Sequence, residues 1–489
     1  MASSTPTGSI TIRSLLDAVR PAARVRIRAS LYNSCSTASI WSFGSLSTTR
    51  DISWSVPRFG SSGIRGIGNV DITPDLALRV GMILGDLYGD TIIGRDPRIT
   101  GPMLVQALGA GVLSAGASAI DAGLVSTPTL ARGSRDFACG AIITASHNPA
   151  PYNGIKLWNP DGMAFDEEQQ REVEDALERG RFPPPTWDHT GVASSRPDLV
   201  RDHVEAILKD VGPAKVRVVV DCACGATATI TPFLLRQMGC EVLAINAQAD
   251  GHFPGREPEP TEENLGILAS TVRAGNADLG IAHDGDGDRM VAVDREGRFV
   301  GGDALLALFA RQEVRRGLVV PVDASMVLED LLPSAKVWRT RVGDVYVAAE
   351  LKRRGAEFGG EPSGTWIFPK STFCPDGVYA AARLVAMVAV RPLDAMVAEV
   401  PRYPVIRGSI PFDPSRRAAI ESRLDAKLRS IGADVTTVDG WRLQFNDGWS
   451  LVRFSGTEPK IRVMTESRDT ARANEIYSTV LSSAKGAAE

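Results

Sequence analysis

From Arg58 onward, short β-branched runs alternate with amphipathic stretches of helical period, and this rhythm constrains the fold more than any other feature. The runs include 91-TIIG-94, 140-GAIITA-145, 216-VRVVVD-221 and 241-EVLAI-245, most of them closing on a turn residue such as Gly, Asp or Ser. Apolar runs spaced by helices are the pattern of α/β units with largely parallel sheets. Ligands of such sheets gather at the carboxyl ends of the strands, so the polar residues that follow the runs carry the functional information.

At 489 residues the chain is too long for one core, and a prior of roughly 150 residues per domain predicts three or four. Composition breaks suggest where they part. The triple proline in 182-FPPPTWDHTG-191 precedes a predicted helix, 199-LVRDHVEAILKDV-211. A charged turn, 294-DREGRF-299, follows the strand-like 290-MVAV-293, and 401-PRYPVIRGSIP-411 precedes a predicted helix over 414–432 and strands 441-WRLQF-445 and 449-WSLVRF-454. The expected units are therefore 56–197, 198–294, 295–400 and 401–489. The first three are of comparable size and are candidates for distant copies of one another.

Residues 1–55 stand apart. They carry Arg13, Arg20, Arg24, Arg26, Arg28 and Arg50, no Lys, and only Asp17 and Asp51 as acids. That composition imitates an organellar transit peptide; a reading frame opened too far upstream, with the ordered protein starting near Val56, is the preferred expectation. A formal net charge of −4 gives no basic field for a nucleic-acid backbone. No apolar run reaches the roughly 18 residues that span a bilayer. Six scattered cysteines without a paired framework fit a reducing cytoplasm, and Cys222 and Cys224 read as small buried residues beside a strand.

Five runs carry chemistry. In Asp284-Gly285-Asp286-Gly287-Asp288-Arg289, three carboxylates at alternate positions repel one another unless a cation neutralises them. All-oxygen ligands select a hard ion such as Mg²⁺. An EF-hand loop is excluded, because Arg289 and Arg295 occupy the positions that require Gly and Glu. Ser146 follows the apolar run 141-AII-143 and precedes His147, Asn148 and Pro149. A serine in a strand-end loop next to a cation can act as a phosphate relay, although the pattern alone favours a Ser/Asn turn. Lys156, in 153-NGIKLW-158, would need its pKa lowered to act as a base.

Near the end of the chain, 453-RFSGTEPKIR-462 offers hydroxyls and turn amides between Arg453 and Arg462, an arrangement suited to an anion. The loop 359-GGEPSGTW-366 puts Glu361 and Ser363 between glycines, and 59-FGSSGIRG-66 and 94-GRDPRITG-101 are Gly-rich turns bearing Arg65, Arg95 and Arg98. No Walker A pattern occurs, which removes P-loop nucleotide hydrolysis.

Taken in order, these runs resemble the α-D-phosphohexomutase family of phosphoglucomutases, phosphomannomutases and phosphoglucosamine mutases. The resemblance implies three related mixed-sheet α/β domains and a smaller α+β C-terminal domain around a central cleft. It implies that Ser146 is a phosphoserine and a metal ligand, with Asp284, Asp286 and Asp288 completing the Mg²⁺ site. Lys156 is then the candidate general base, with Arg65 and His147 beside the phosphoserine. Arg289, Glu361 and Ser363 become sugar-side contacts, while Arg453, Ser455, Gly456, Thr457 and Arg462 grip the non-reacting phosphate. The implied reaction interconverts hexose 6- and 1-phosphates through a hexose 1,6-bisphosphate, in a monomer or homodimer.

One departure stands out: Thr365 and Trp366 follow the last glycine of the sugar loop, where many members place a histidine. The loop, 255-GREPEPTEENL-265 and the 449–463 segment look most like archaeal-type phosphoglucosamine mutases, so glucosamine phosphate is the expected substrate, with mannose or glucose phosphate as alternatives. A Ser146-dependent phosphatase and a non-catalytic phosphosugar-binding protein are the competing classes.

Overall fold

The computed structural model describes residues 58–60, 63–180, 182, 185–456 and 458–488. The expectations for residues 1–55 and for Thr457 lie outside them.

Three of the four sheets share one plan. In the first, the strands run in the order Ile64–Ile67, Tyr152–Trp158, Cys139–Ile143, Thr91–Arg95, Ala119–Leu124, Ala193–Ser195. Thr91–Arg95 is parallel to both its neighbours, whereas Cys139–Ile143 and Tyr152–Trp158 form an antiparallel hairpin. The second sheet repeats this with Arg217–Asp221 as the central parallel strand and the hairpin Leu279–His283/Met290–Asp294. The third does so with Gly317–Pro321 and the hairpin Phe358–Glu361/Thr365–Ile367. The mixed character follows from sequence: a short polar turn permits only the antiparallel return, and the parallel pairs need helical crossovers.

The break expected at 294–299 falls elsewhere. Phe299–Val300 pairs antiparallel with Val293 and Ala292, so this charged segment is a hairpin turn inside the second sheet. Asp294 holds the turn by accepting from the amides of Glu296 and Arg298. The predicted helix over 414–432 begins as a short 3₁₀ turn, Pro414–Arg416, and continues as Arg417–Arg429.

The fourth sheet is wholly antiparallel, in the order Val405–Pro411, Lys460–Ser467, Gly448–Phe454, Trp441–Gln444, Asp434–Thr436. Helices Arg417–Arg429 and Thr470–Ala488 bury Ile420, Leu424, Ile476 and Val480 with Trp441 and Val452, so this unit is α+β with its own core. The cores of the second and third units merge. Phe309, Phe358, Trp366, Phe368 and Tyr379 pack ring against ring there, with centroids from 4.8 to 6.0 Å apart.

Candidate active site

The shared plan places three hairpin turns at equivalent ends of three sheets, and each turn carries one of the chemically suggestive runs. Ser146 lies between Cys139–Ile143 and Tyr152–Trp158, the aspartates between Leu279–His283 and Met290–Asp294, and Ser363 between Phe358–Glu361 and Thr365–Ile367. The aspartate and Ser363 turns touch. Met290 N donates to Gly364 O at 2.9 Å, Gly377 N to Gly287 O at 3.2 Å, and the indole of Trp366 to Met290 O at 2.7 Å.

Ser146 is buried and adopts a left-handed backbone, φ 51°, a conformation that costs a non-glycine residue energy and needs outside support. Arg98 supplies it. Its guanidinium, fully buried, donates to the carbonyls of Ser146 (2.8 Å), Asn148 (2.7 Å), Pro149 (2.8 Å) and Tyr152 (2.8 Å) and to Asp96 Oδ2 (2.9 Å). One side chain thus pins the whole Ser146 turn. The Gly-rich turn of the sequence marks Arg98 without giving it a role, because the carbonyls it holds lie 48 to 54 residues away.

The Ser146 hydroxyl donates to Asp284 Oδ2 at 2.6 Å and lies 3.4 Å from Asp288 Oδ1 and from His147 Nδ1. Asp284, Asp286 and Asp288 are all buried, and one oxygen of each lies within 4.8 Å of the others. Burial, and then repulsion from Asp288 and Asp286, push the Asp284 carboxyl well above its ordinary value. Thr127, opening the helix Thr127–Gly133, grips Asp286 twice, its amide on the main-chain oxygen at 2.8 Å and its hydroxyl on Oδ2 at 2.6 Å. Asp286 Oδ1 is buried and has no hydrogen-bond partner. Such an orphaned anionic oxygen among crowded carboxylates fits a cation, and the set can hold a metal ion.

Lys156 is buried in this site with Nζ 3.0 Å from Asp286 Oδ2 and 2.7 Å from Asp288 Oδ2. Burial opposes its charge, but the two carboxylates prevail and hold its pKa above the usual lysine value. The lowered pKa that a free base requires is therefore not the state of this arrangement, in which Lys156 is a held cation. His147 is kept neutral by burial and by the nearby Arg289, Arg65 and Lys156. Arg65 Nη1 bonds Asn148 Oδ1 at 3.0 Å, and Arg289 pairs with Glu259, a residue of the 255–265 segment to which the sequence assigns no role.

A cleft of about 860 Å³ opens on this cluster, lined by Arg65, Ser146, His147, Asp288 and Arg289 on one side and by Asp323, Asp344, Glu361, Ser363 and Thr365 on the other. Glu361 Oε1 accepts from Gly343 N at 2.7 Å, and burial, then Asp344, raise its pKa to about 7. Thr365, at the position where many family members carry a histidine, lies 3.3 Å from Glu361 Oε2. The C-terminal loop contributes only Gly456 to the lining among the described residues. Ser455 is buried, Arg462 is half exposed beside Glu458, and Arg453 is bound to Asp439 Oδ2 at 2.7 Å. Cys222 and Cys224 are buried free thiols next to the strand Arg217–Asp221.

Comparison with known proteins agrees with this geometry. Family models described as phosphoglucomutase/phosphomannomutase α/β/α domains I, II and III match residues 57–184, 200–297 and 301–403, and the C-terminal domain model matches 413–482. The chain belongs to the phosphoglucomutase/phosphomannomutase family. It is a phosphohexomutase, an intramolecular phosphotransferase of the isomerase class.

Among its relatives, a protein of Methanococcoides burtonii named "Probable phosphoglucosamine mutase" is 52% identical over 415 residues, 84% of this chain and 96% of that one. One of the same name from Methanosarcina acetivorans is 51% identical over 422 residues, 86% of this chain and 96% of its own length. The crystal structure of a phosphoglucomutase/phosphomannomutase family protein from Burkholderia thailandensis superposes with a TM-score of 0.79 at 27% identity, covering 87% of this chain and 97% of that one. Aspergillus fumigatus N-acetylphosphoglucosamine mutase, solved with GlcNAc-6P and magnesium, shares the fold at 16% identity, with a TM-score of 0.56 and coverage of 88% of this chain and 96% of that one.

Proposed function

We propose that this phosphohexomutase interconverts glucosamine 6-phosphate and glucosamine 1-phosphate, with Ser146 as the phosphate carrier. The observation that carries the chemistry is the Ser146 hydroxyl, 2.6 Å from Asp284 at the floor of the cleft. The substrate follows from the relatives named probable phosphoglucosamine mutases, about half identical to this chain over nearly their full length.

In this reading Ser146, Asp284, Asp286 and Asp288 hold Mg²⁺, which when bound supplies the charge neutralisation that phosphoryl transfer needs. Ser146 must be phosphorylated before the first turnover. Its phosphoryl group passes to a sugar hydroxyl, giving the hexose 1,6-bisphosphate; the other phosphate then returns to Ser146, so no phosphate is lost. Arg98 holds the turn in register, and Arg65 and His147 flank the transferred group. Lys156 is the candidate general base, which would take up and return the hydroxyl proton at Nζ as the neutral amine, since the cation held between Asp286 and Asp288 has no site for a further proton. Arg289, paired with Glu259, contacts the substrate together with Glu361 and Ser363, which accept from and donate to sugar hydroxyls. Arg453, Ser455, Gly456, Thr457 and Arg462 grip the phosphate that does not react. The proposed domains are 56–197, 198–300, 301–400 and 401–489, working in the cytoplasm as a monomer or homodimer.

The deciding experiment is a coupled assay of the purified protein with glucosamine, mannose and glucose 6-phosphates, primed with the matching bisphosphate. The highest kcat/KM is expected with glucosamine 6-phosphate, and Ser146→Ala is expected to bind substrate without turning it over. A preference for mannose or glucose phosphate overturns the specificity. Release of inorganic phosphate without isomerisation, or no conversion at all, overturns the mutase mechanism.

A further inference from the structure

Arg453 already has an anion, and that anion is unusually placed. Asp439 sits between the strands Asp434–Thr436 and Trp441–Gln444 of the fourth unit. Its Oδ2 accepts from Arg453 Nη1 at 2.7 Å and from Val342 N at 3.1 Å. Val342 belongs to the third unit and lines the substrate cleft together with Gly343 and Asp344. The next amide, Gly343 N, donates to Glu361 Oε1 at 2.7 Å. Two consecutive N–H groups of one loop therefore hold two carboxylates, one tied to the arginine of the C-terminal loop and the other to the sugar-side hairpin.

The loop is built to face both ways. Gly343 has φ 136°, outside the range that other residues readily adopt, and this lets successive amides serve partners on different units. Asp439 and Arg453 are both mostly buried, with side-chain exposures of 22% and 27%. At that burial a charge-assisted hydrogen bond orients a long side chain more firmly than it would at the surface. Neither bond uses Asp439 Oδ1, so the carboxylate can keep Val342 while Arg453 turns toward another anion.

We propose that Asp439 is a positioning residue: it aims the Arg453 guanidinium and ties the phosphate-gripping loop of the fourth unit to the cleft loop 342–344 that holds Glu361. This rests on the assignment of Arg453 to the non-reacting phosphate. Asp439 touches no reacting atom. Before substrate arrives it takes the phosphate's part, keeps the guanidinium from collapsing elsewhere, and passes the movement of the C-terminal loop to the sugar-binding wall through adjacent amides.

The test is a double-mutant cycle read as KM and kcat for the hexose 6-phosphate that the full-length enzyme turns over, with melting temperature measured in parallel. Asp439→Ala is expected to raise KM about tenfold, the scale of one lost hydrogen bond to a charged group, with a much smaller change in kcat. Asp439→Asn, which keeps both acceptor contacts and loses the charge, is expected to fall between. Arg453→Ala raises KM by itself, and in that background Asp439→Ala adds little, because its effect runs through the arginine. An unchanged KM in Asp439→Ala overturns the proposal, as does an effect of equal size with and without Arg453, which marks a purely structural contact. Arg453→Ala with wild-type KM overturns the phosphate assignment itself and the inference with it, whereas an unchanged KM in the single variant Asp439→Ala beside a raised KM in Arg453→Ala overturns the inference alone.

Discussion

At the scale of single residues, charge held in a dry place governs the site. Glu361 shows it most simply. Its carboxyl is buried, with a pKa raised from 4.5 to about 7. A carboxyl with a raised native pKa binds more protons folded than unfolded across that window, so its contribution to stability is present below about pH 4.5 and is lost as pH climbs through 7. Glu361→Gln keeps an acceptor for Gly343 N and removes the titration. The melting temperature of the variant relative to the wild type is therefore expected to rise from pH 5 to pH 7 and to level off above it. A flat difference across that range would show that Glu361 is already ionised at pH 5. Other residues differ in how far the sequence discloses them. Asp284, Asp286 and Asp288 are legible because three carboxylates at alternate positions repel one another until a cation joins them, and the structure gathers them around the Ser146 hydroxyl. Lys156 is legible as a position but not as a state, since its two ion pairs depend on a loop at least 130 residues away. Arg98, Thr127 and Asp439 are opaque for the same reason. Apart from Asp96 beside Arg98, their partners lie 48 to 54, 159, and 14 to 97 residues distant, and no local pattern marks a polar side chain for burial.

At the scale of elements, the apolar runs foretell strands: Cys139–Ile143 and Leu279–His283 are buried at every position, whereas Glu241–Ile245, at the edge of its sheet, has no buried position. The hairpin turn at 294–299 escapes the same reading because a charged turn looks alike whether it closes a hairpin or joins two domains. The register between turns is the element-scale property on which chemistry depends. A Cβ at Gly285 would lie 2.6 Å from Ser146 O, closer than side-chain carbons approach backbone, and that oxygen is already held by Arg98. Gly285→Ala must therefore push the aspartate turn away from the Ser146 turn, without strain of its own because φ there is ordinary. The variant is expected to fold with a melting temperature near that of the wild type and to lose roughly 100-fold in kcat, the penalty for an ångström of misplacement. Wild-type turnover would mean that the two turns tolerate sliding.

At the scale of the whole molecule, three units share one plan and a fourth packs on the third. Val322 and Met326 of the third unit pack on Trp449 and Leu451 of the fourth, and at the centre of that contact Glu466 is 2% exposed. Its carboxylate accepts from Ser325 Oγ at 2.6 Å and Met326 N at 2.8 Å on the third unit, and from Trp449 Nε1 at 2.6 Å on its own. Every donor comes from a buried group, so removing the acceptor strands all three, at about 1–3 kcal/mol for each buried group left unsatisfied. The cost falls on the joint between units, because two of the three donors, Ser325 and Met326, belong to the third unit while the acceptor belongs to the fourth. Glu466→Ala is thus expected to let the fourth unit unfold before the rest, seen in calorimetry as a new low-temperature transition and in limited proteolysis as early cleavage near 401–404. Glu466→Gln retains one oxygen acceptor but turns an NH₂ toward a donor, and should shift the same transition by a smaller amount. A single transition lowered uniformly in both variants would instead make the third and fourth units one cooperative body, with Glu466 an ordinary core contact and not the joint between them.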